Sequence, residues 1–249
     1  MPVFGTASLA GAKPRRVTSL AQDRIEIEAA QTLTFTFEVL SQAAIAALPP
    51  CYHPPFPTYC TIAVRRHDDG PYGAFTLAEL RLHARAGSHY VGYCLGGFCD
   101  NADAAAWLAN AYGAPMEVAY VRLTKRHFGY EARVAGDGRP MFEALLEMPG
   151  FISGSDVLYV QIHNLAEVDG APTVIAEEFE YAIKEARRGP AKFTTLDLPA
   201  FGAPTLTLSN HLPSTWTSGT WAYMPVRFLM DPTKPAMAGT RKVGQKAAA

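Results

Sequence analysis

The longest unbroken alternation in the chain covers residues 32–39. Leu33, Phe35, Phe37 and Val39 fall on one side, and Thr32, Thr34, Thr36 and Glu38 on the other. Successive side chains of a strand point to opposite faces, so this pattern predicts a strand with one apolar face. Weaker patterns predict strands over residues 61–66, 76–83, 90–95, 117–123, 130–134, 157–162, 173–182, 192–198, 205–208 and 222–228. Turn-forming groups separate them, among them Asp68-Asp69-Gly70-Pro71, His127-Phe128-Gly129 and Asp169-Gly170.

Helical signals are few. Residues 41–48 open on a serine able to cap and stop at Pro49-Pro50. Residues 101–112 are alanine-rich, follow Asp100, and end before Gly113 and Pro115. A third helix is expected over Arg139–Glu147. No repeat or linker divides the middle of the chain. The expected organisation is an N-terminal arm over 1–23, a single domain over 24–230 and a flexible tail over 231–249. The fold class is mainly β (α+β): an antiparallel β-barrel or sheet with a few short helices.

Composition narrows the function more than the fold. The 249 residues carry 22 basic and 23 acidic side chains, a net charge of −1. That balance gives no electrostatic pull toward nucleic acid or an anionic membrane. No apolar run approaches the roughly 18 residues that span a bilayer. The N-terminal charges follow the apolar stretch, the wrong order for a secretory signal. Cys51, Cys60, Cys94 and Cys99 form no CxxC pair and read as buried thiols. No metal and no cofactor are expected, and the location expected is cytoplasmic.

A resemblance enters between Leu48 and Leu123. Leu48-Pro49-Pro50 precedes a strand and then Gly70-Pro71-Tyr72-Gly73. A strand pair leads into the helix at 101–112, which ends in Gly113-Ala114-Pro115 and passes at once into a strand. This order resembles the acetoacetate decarboxylase family. The resemblance implies that family's β-rich fold, a pocket inside it for a small-molecule substrate, and a homo-oligomer. It also implies two lysines directly after the proline. The first would form a Schiff base, and the second would lower its pKa. Here those positions are Met116 and Glu117. Ala74 stands where the family's acidic partner is expected. An imine therefore cannot form at the usual place. Lys125, in the turn Thr124-Lys125-Arg126-His127, is a displaced nucleophile only if its turn is shielded from water.

Other residues then become candidates. On strand parity Met116, Tyr120 and Arg122 share a face, with Glu117 opposite. Arg122 is suited to clamp a carboxylate, and Glu117 to act as a general base if desolvated. His53 sits in the proline-rich loop Pro49-Pro50-Cys51-Tyr52-His53-Pro54. The catalytic set expected is Glu117, Arg122, Tyr120 and His53. The substrate-binding set is Tyr72, Tyr112, Met116 and Trp221, the tyrosines as donors to an enolate and Trp221 as part of an aromatic wall. Each also has an ordinary reading: a core aromatic, a strand-end arginine, a solvated glutamate, a packed loop histidine. The expected activity is lyase-, isomerase- or cyclase-type proton transfer on an oxo-substrate in secondary metabolism, without an imine. The alternatives are a non-catalytic ligand binder and Schiff-base chemistry at a displaced lysine.

Overall fold

The computed structural model describes residues 3–9 and 14–245. The first half of the chain contains β1 (Arg15–Arg16), β2 (Ile25–Val39), α1 (Ser41–Ala47), β3 (Tyr59–Gly70), β4 (Gly73–Ala86), β5 (His89–Cys99), α2 (Ala102–Tyr112), β6 (Met116–Val118) and β7 (Tyr120–Arg126). The second contains β8 (Gly129–Gly136), β9 (Arg139–Glu147), β10 (Gly150–Ile152), β11 (Gln161–Val168), β12 (Ala171–Glu177), β13 (Phe179–Gly189), β14 (Ala191–Leu196), β15 (Leu208–Tyr223), β16 (Phe228–Met230), α3 (Ala236–Gly239) and β17 (Thr240–Lys242).

Thirteen of these strands make one sheet in the order β10-β13-β15-β2-β3-β4-β5-β11-β12-β16-β17, with β1 beside β11 and β6 beside β5. The other four, β14-β9-β8-β7, make a second sheet. Leu33, Phe35 and Phe37 of β2, Ile62 and Val64 of β3, and Leu80 and Leu82 of β4 are fully buried in one core with Val134, Phe142 and Leu146 of the second sheet. A second core gathers Leu77, Cys99, Leu108, Tyr112, Met116, Trp221 and Tyr223 around α2.

Local chemistry explains much of this. The Asn101 side chain accepts from the Asp103 and Ala104 amides and caps α2, and Gly113 ends it in the left-handed conformation at φ 66°. Asp169-Gly170 closes the β11–β12 hairpin with both residues at positive φ, 54° and 78°, the geometry an Asp-Gly turn favours.

The structure differs from two strand and helix expectations and adds detail to the described parts of the arm and tail. Arg139–Glu147 is a strand, not a helix: it pairs with both β8 and β14, and Phe142, Ala144 and Leu146 alternate into the core. Its Met, Glu, Ala and Leu favour helix, but pairing on both edges overrides that preference. β15 was legible only at its two ends. It runs 16 residues and carries three register shifts against β2, which break its alternation. The arm is docked: the Gly5 amide donates to the Tyr52 carbonyl (2.8 Å), Val17 to Glu167 (2.9 Å), and β1 pairs with β11. The tail folds back as far as residue 245, with β17 antiparallel to β16. Main-chain hydrogen bonds hold arm and tail, and these leave no side-chain period to read.

Candidate active site

The face of β3 and β4 opposite the first core is also buried, and it is polar. On β3, Thr61, Ala63, Arg65 and His67 alternate with the core residues; on β4, Glu79, Arg81 and His83 do. Arg65 is 0% exposed, Glu79 1% and Arg81 4%. Arg65 Nη2 donates to Glu79 Oε2 at 2.6 Å, and Arg81 Nη2 donates to the same oxygen. Glu177, 1% exposed, enters from β12. It accepts from Asn164 Nδ2 of β11 at 2.9 Å. The Arg65 guanidinium lies 4.2 Å from the Trp221 ring centroid, a cation–π contact in a desolvated place.

The two carboxyls are driven apart. Burial pushes Glu79 up, but the Arg81 and Arg65 charges outweigh it and hold the group below the usual glutamate range. Burial and then the Glu79 charge raise Glu177 to about 7, against the pull of Arg65. Several donors and acceptors here make no hydrogen bond within the protein: Arg65 Nε and Nη1, Arg81 Nε, Glu177 Oε1 and Asn164 Oδ1. Arg81 also lines a cleft of about 380 Å³ that includes Thr34, Tyr59, Thr61, His83 and Tyr90. The cluster therefore meets solvent-accessible space through Arg81. It combines an ionised carboxylate, a carboxyl poised near neutrality and guanidinium donors with capacity to spare, the components of acid–base chemistry on an anionic substrate.

Met116 is buried, as a pocket residue would be. β6 pairs with β5 at Gly97↔Met116, and β5 pairs with β4 at Glu79↔Gly97. A Cβ on Gly97 would lie 2.9 Å from the Met116 sulfur, so the glycine lets the thioether lie across β5 toward the Glu79 side. The five described lysines, Lys125, Lys184, Lys192, Lys234 and Lys242, are all exposed. Trp221 is buried against Arg65.

The remaining expected residues lie elsewhere. The shared face of Met116, Tyr120 and Arg122 fails, because β6 ends at Val118 and the chain enters the second sheet. There Val121 and Leu123 are buried, and Tyr120 (49% exposed) and Arg122 face outward. Glu117 is exposed as well. Tyr72 is exposed and packs on Trp107. Tyr112 is buried and donates to the Met224 carbonyl at 2.9 Å. His53 bridges to Arg85 by backbone and sits 5.9 Å from the Phe4 ring; burial and the Arg85 charge lower its pKa. Sequence reasoning missed Arg65, Glu79, Arg81, Asn164 and Glu177. The one available signal was Glu79, Arg81, His83 and Arg85 recurring at period two within an otherwise apolar strand. All four cysteines are free and buried. Among the described residues, no group of three or more His, Cys, Asp and Glu is gathered as metal ligands are. No described helix is long and apolar enough to cross a membrane.

No family model and no curated protein matches this sequence. Solved structures do match the fold. Acetoacetate decarboxylase from Legionella pneumophila subsp. pneumophila str. Philadelphia 1 superposes with a TM-score of 0.72 at 16% identity, over 86% of this chain and 90% of that one. The enduracididine biosynthesis enzyme MppR complexed with pyruvate gives 0.67 at 14% identity, over 91% and 97%. An acetoacetate decarboxylase-like enzyme from Sphingomonas wittichii RW1 gives 0.63 at 13% identity, over 89% and 97%. The chain thus has the acetoacetate decarboxylase-like fold.

Proposed function

We propose that this chain is an enzyme that moves a proton at the carbon beside a carbonyl, on a small oxo acid, without forming an imine. The observation that carries this reading is the pair of buried carboxyls, Glu79 and Glu177, shifted in opposite directions beside two guanidiniums with unspent donors. In the reaction, ionised Glu177 takes the α-proton. The electron pair moves onto the carbonyl oxygen, and the resulting enolate lies beside N–H groups of Arg65 and Arg81, which favour it more than the neutral ketone. Glu79 stays ionised and holds both guanidiniums in place. Returning the proton gives isomerisation or exchange; loss of a β-leaving group from the enolate gives dehydration.

Met116 at the expected imine position and the exposure of every described lysine support a route without a Schiff base. That one neighbour is named for enduracididine biosynthesis supports a role in secondary metabolism. A homo-oligomer working in the cytoplasm belongs to the same proposal. A second reading, ligand binding without turnover, draws on one observation: only Arg81 of the cluster lines the cleft. Proton NMR in D₂O with pyruvate and longer oxo acids separates the two. Exchange of the α-protons is expected, and Glu177→Gln should slow it by about 10²–10⁴-fold. Undiminished exchange in that variant removes Glu177 from the reaction. Borohydride with the same acids should leave the protein mass unchanged.

A further inference from the structure

The cleft beside the ionic cluster is built for more than a short acid. It lies on the polar face of β15, β2, β3, β4 and β5, and residues 156–160, the segment before β11, roof it. Three rings of its lining cluster together: the Tyr59 and His83 centroids are 5.1 Å apart at 48°, His83 and Tyr90 5.3 Å apart at 35°, and Tyr59 and Tyr90 6.1 Å apart at 53°. Val157, Leu158, Leu212 and Pro213 supply apolar surface to the same cleft. Arg81 is its cation nearest the cluster. Three further buried polar atoms on lining residues, His83 Nδ1, Thr34 Oγ1 and Tyr90 Oη, make no hydrogen bond within the protein, as is true of Arg81 Nε. His83 Nε2 is engaged with Thr61 Oγ1 at 3.2 Å.

We infer that the substrate is an aryl-substituted oxo acid, its acid and carbonyl end at Arg81 and its ring against Tyr59, His83 and Tyr90. Orientation of the carbonyl end rests on the acid–base reading above; the ring site does not. A three-carbon acid would leave the aromatic cluster and the 380 Å³ cleft largely unused. Aromatic rings prefer tilted or offset neighbours at these separations, and a flat ring meets that preference where a puckered one does not. His83 Nδ1 and Thr34 Oγ1 suit a polar substituent on the ring, such as a hydroxyl.

Isothermal titration calorimetry on the full chain tests this without turnover, using pyruvate, phenylpyruvate, 4-hydroxyphenylpyruvate and the saturated-ring analogue of phenylpyruvate. Phenylpyruvate is expected to bind at least about tenfold tighter than pyruvate and several-fold tighter than its saturated analogue. Tyr59→Leu should shrink both ratios, and the wild-type ligand series stands as evidence if that variant does not fold. Equal affinity for pyruvate and phenylpyruvate overturns the inference, as does equal affinity for the flat and puckered rings. Ring preference without α-proton exchange supports this inference and sinks the acid–base reading. Exchange on pyruvate without ring preference does the reverse.

Discussion

β2, β3 and β4 share one buried apolar face, and β3 and β4 also bury the opposite face, which is polar. One presents Phe35, Phe37, Ile62, Val64, Leu80 and Leu82 to the second sheet. The other buries Thr61, Arg65, Glu79, Arg81 and His83. The first gains stability from every methylene it removes from water. The second takes charges out of water, which costs several kcal/mol per ion before pairing repays it. Burial alone therefore does not mark a core. A buried face that does not optimise stability, and leaves donors unspent, is the natural place to look for chemistry, and the proposed reaction is put there on that ground.

Truncation should affect both faces strongly and for different reasons. Phe35→Ala opens a cavity and should cost about 3–5 kcal/mol. Glu79→Ala strands two buried guanidiniums and should cost a similar 3–5 kcal/mol. Urea unfolding checks both. If Glu79→Ala loses less than Phe35→Ala by several kcal/mol, water reaches the cluster and the interior is not dry.

The faces should part under the opposite experiment. Replacing Arg65, Glu79 and Arg81 together by apolar residues of similar volume should be neutral or stabilising, by up to about 1–4 kcal/mol, because the one carboxyl left, Glu177, avoids an unpaired charge by keeping its proton. Proton exchange should vanish in the same protein. Full activity in a stable triple variant would make the ionic cluster a structural feature only.

Glu177 adds a pH dependence that the apolar face lacks. Its folded pKa, about 7, lies above the ordinary glutamate value, so between the two the native state binds more protons than the unfolded one. Its contribution is fully present below the ordinary value, is lost as pH rises through about 7, and is flat above. Glu177→Gln should remove that slope from a plot of stability against pH. The α-proton exchange rate should run the other way, rising through the same range as the base ionises. A rate independent of pH there would exclude Glu177 as the base.

The same contrast explains what could be read from the chain. The apolar face was legible, because Leu33, Phe35, Phe37 and Val39 alternate cleanly. The order of proline turn, helix, Gly-x-Pro corner and strand pointed to the right fold. The site was not legible, because the polar residues of an alternating strand look the same whether they face water or a buried interior. Only packing of distant strands over that face distinguishes them. Trp221, expected as part of an aromatic wall, and Met116, expected from the family's position after the proline, are both buried. Glu79 and Glu177 sit among strands far apart in sequence, β4 and β12, and no local motif joins them.

The smallest effect expected is at the two charged residues singled out on the strand after Pro115. Strand parity gives Met116, Tyr120 and Arg122 one face if the strand is continuous. It is not. β6 stays with β5 for three residues, and β7 begins at Tyr120 in the other sheet, where it pairs with β8. The change of partner resets which side is buried, so Val121 and Leu123 go in. Glu117 and Arg122 stay out. Glu117→Gln and Arg122→Gln, made separately, should each shift stability by no more than about 0.5 kcal/mol and leave α-proton exchange near the wild-type rate. Arg122 does border a surface cleft of about 390 Å³ with Ala74, Thr76, Asp100 and Tyr120. Loss of exchange in Arg122→Gln at unchanged stability, with exchange retained in Glu177→Gln, would move the active site to that cleft and leave the buried carboxylates as architecture.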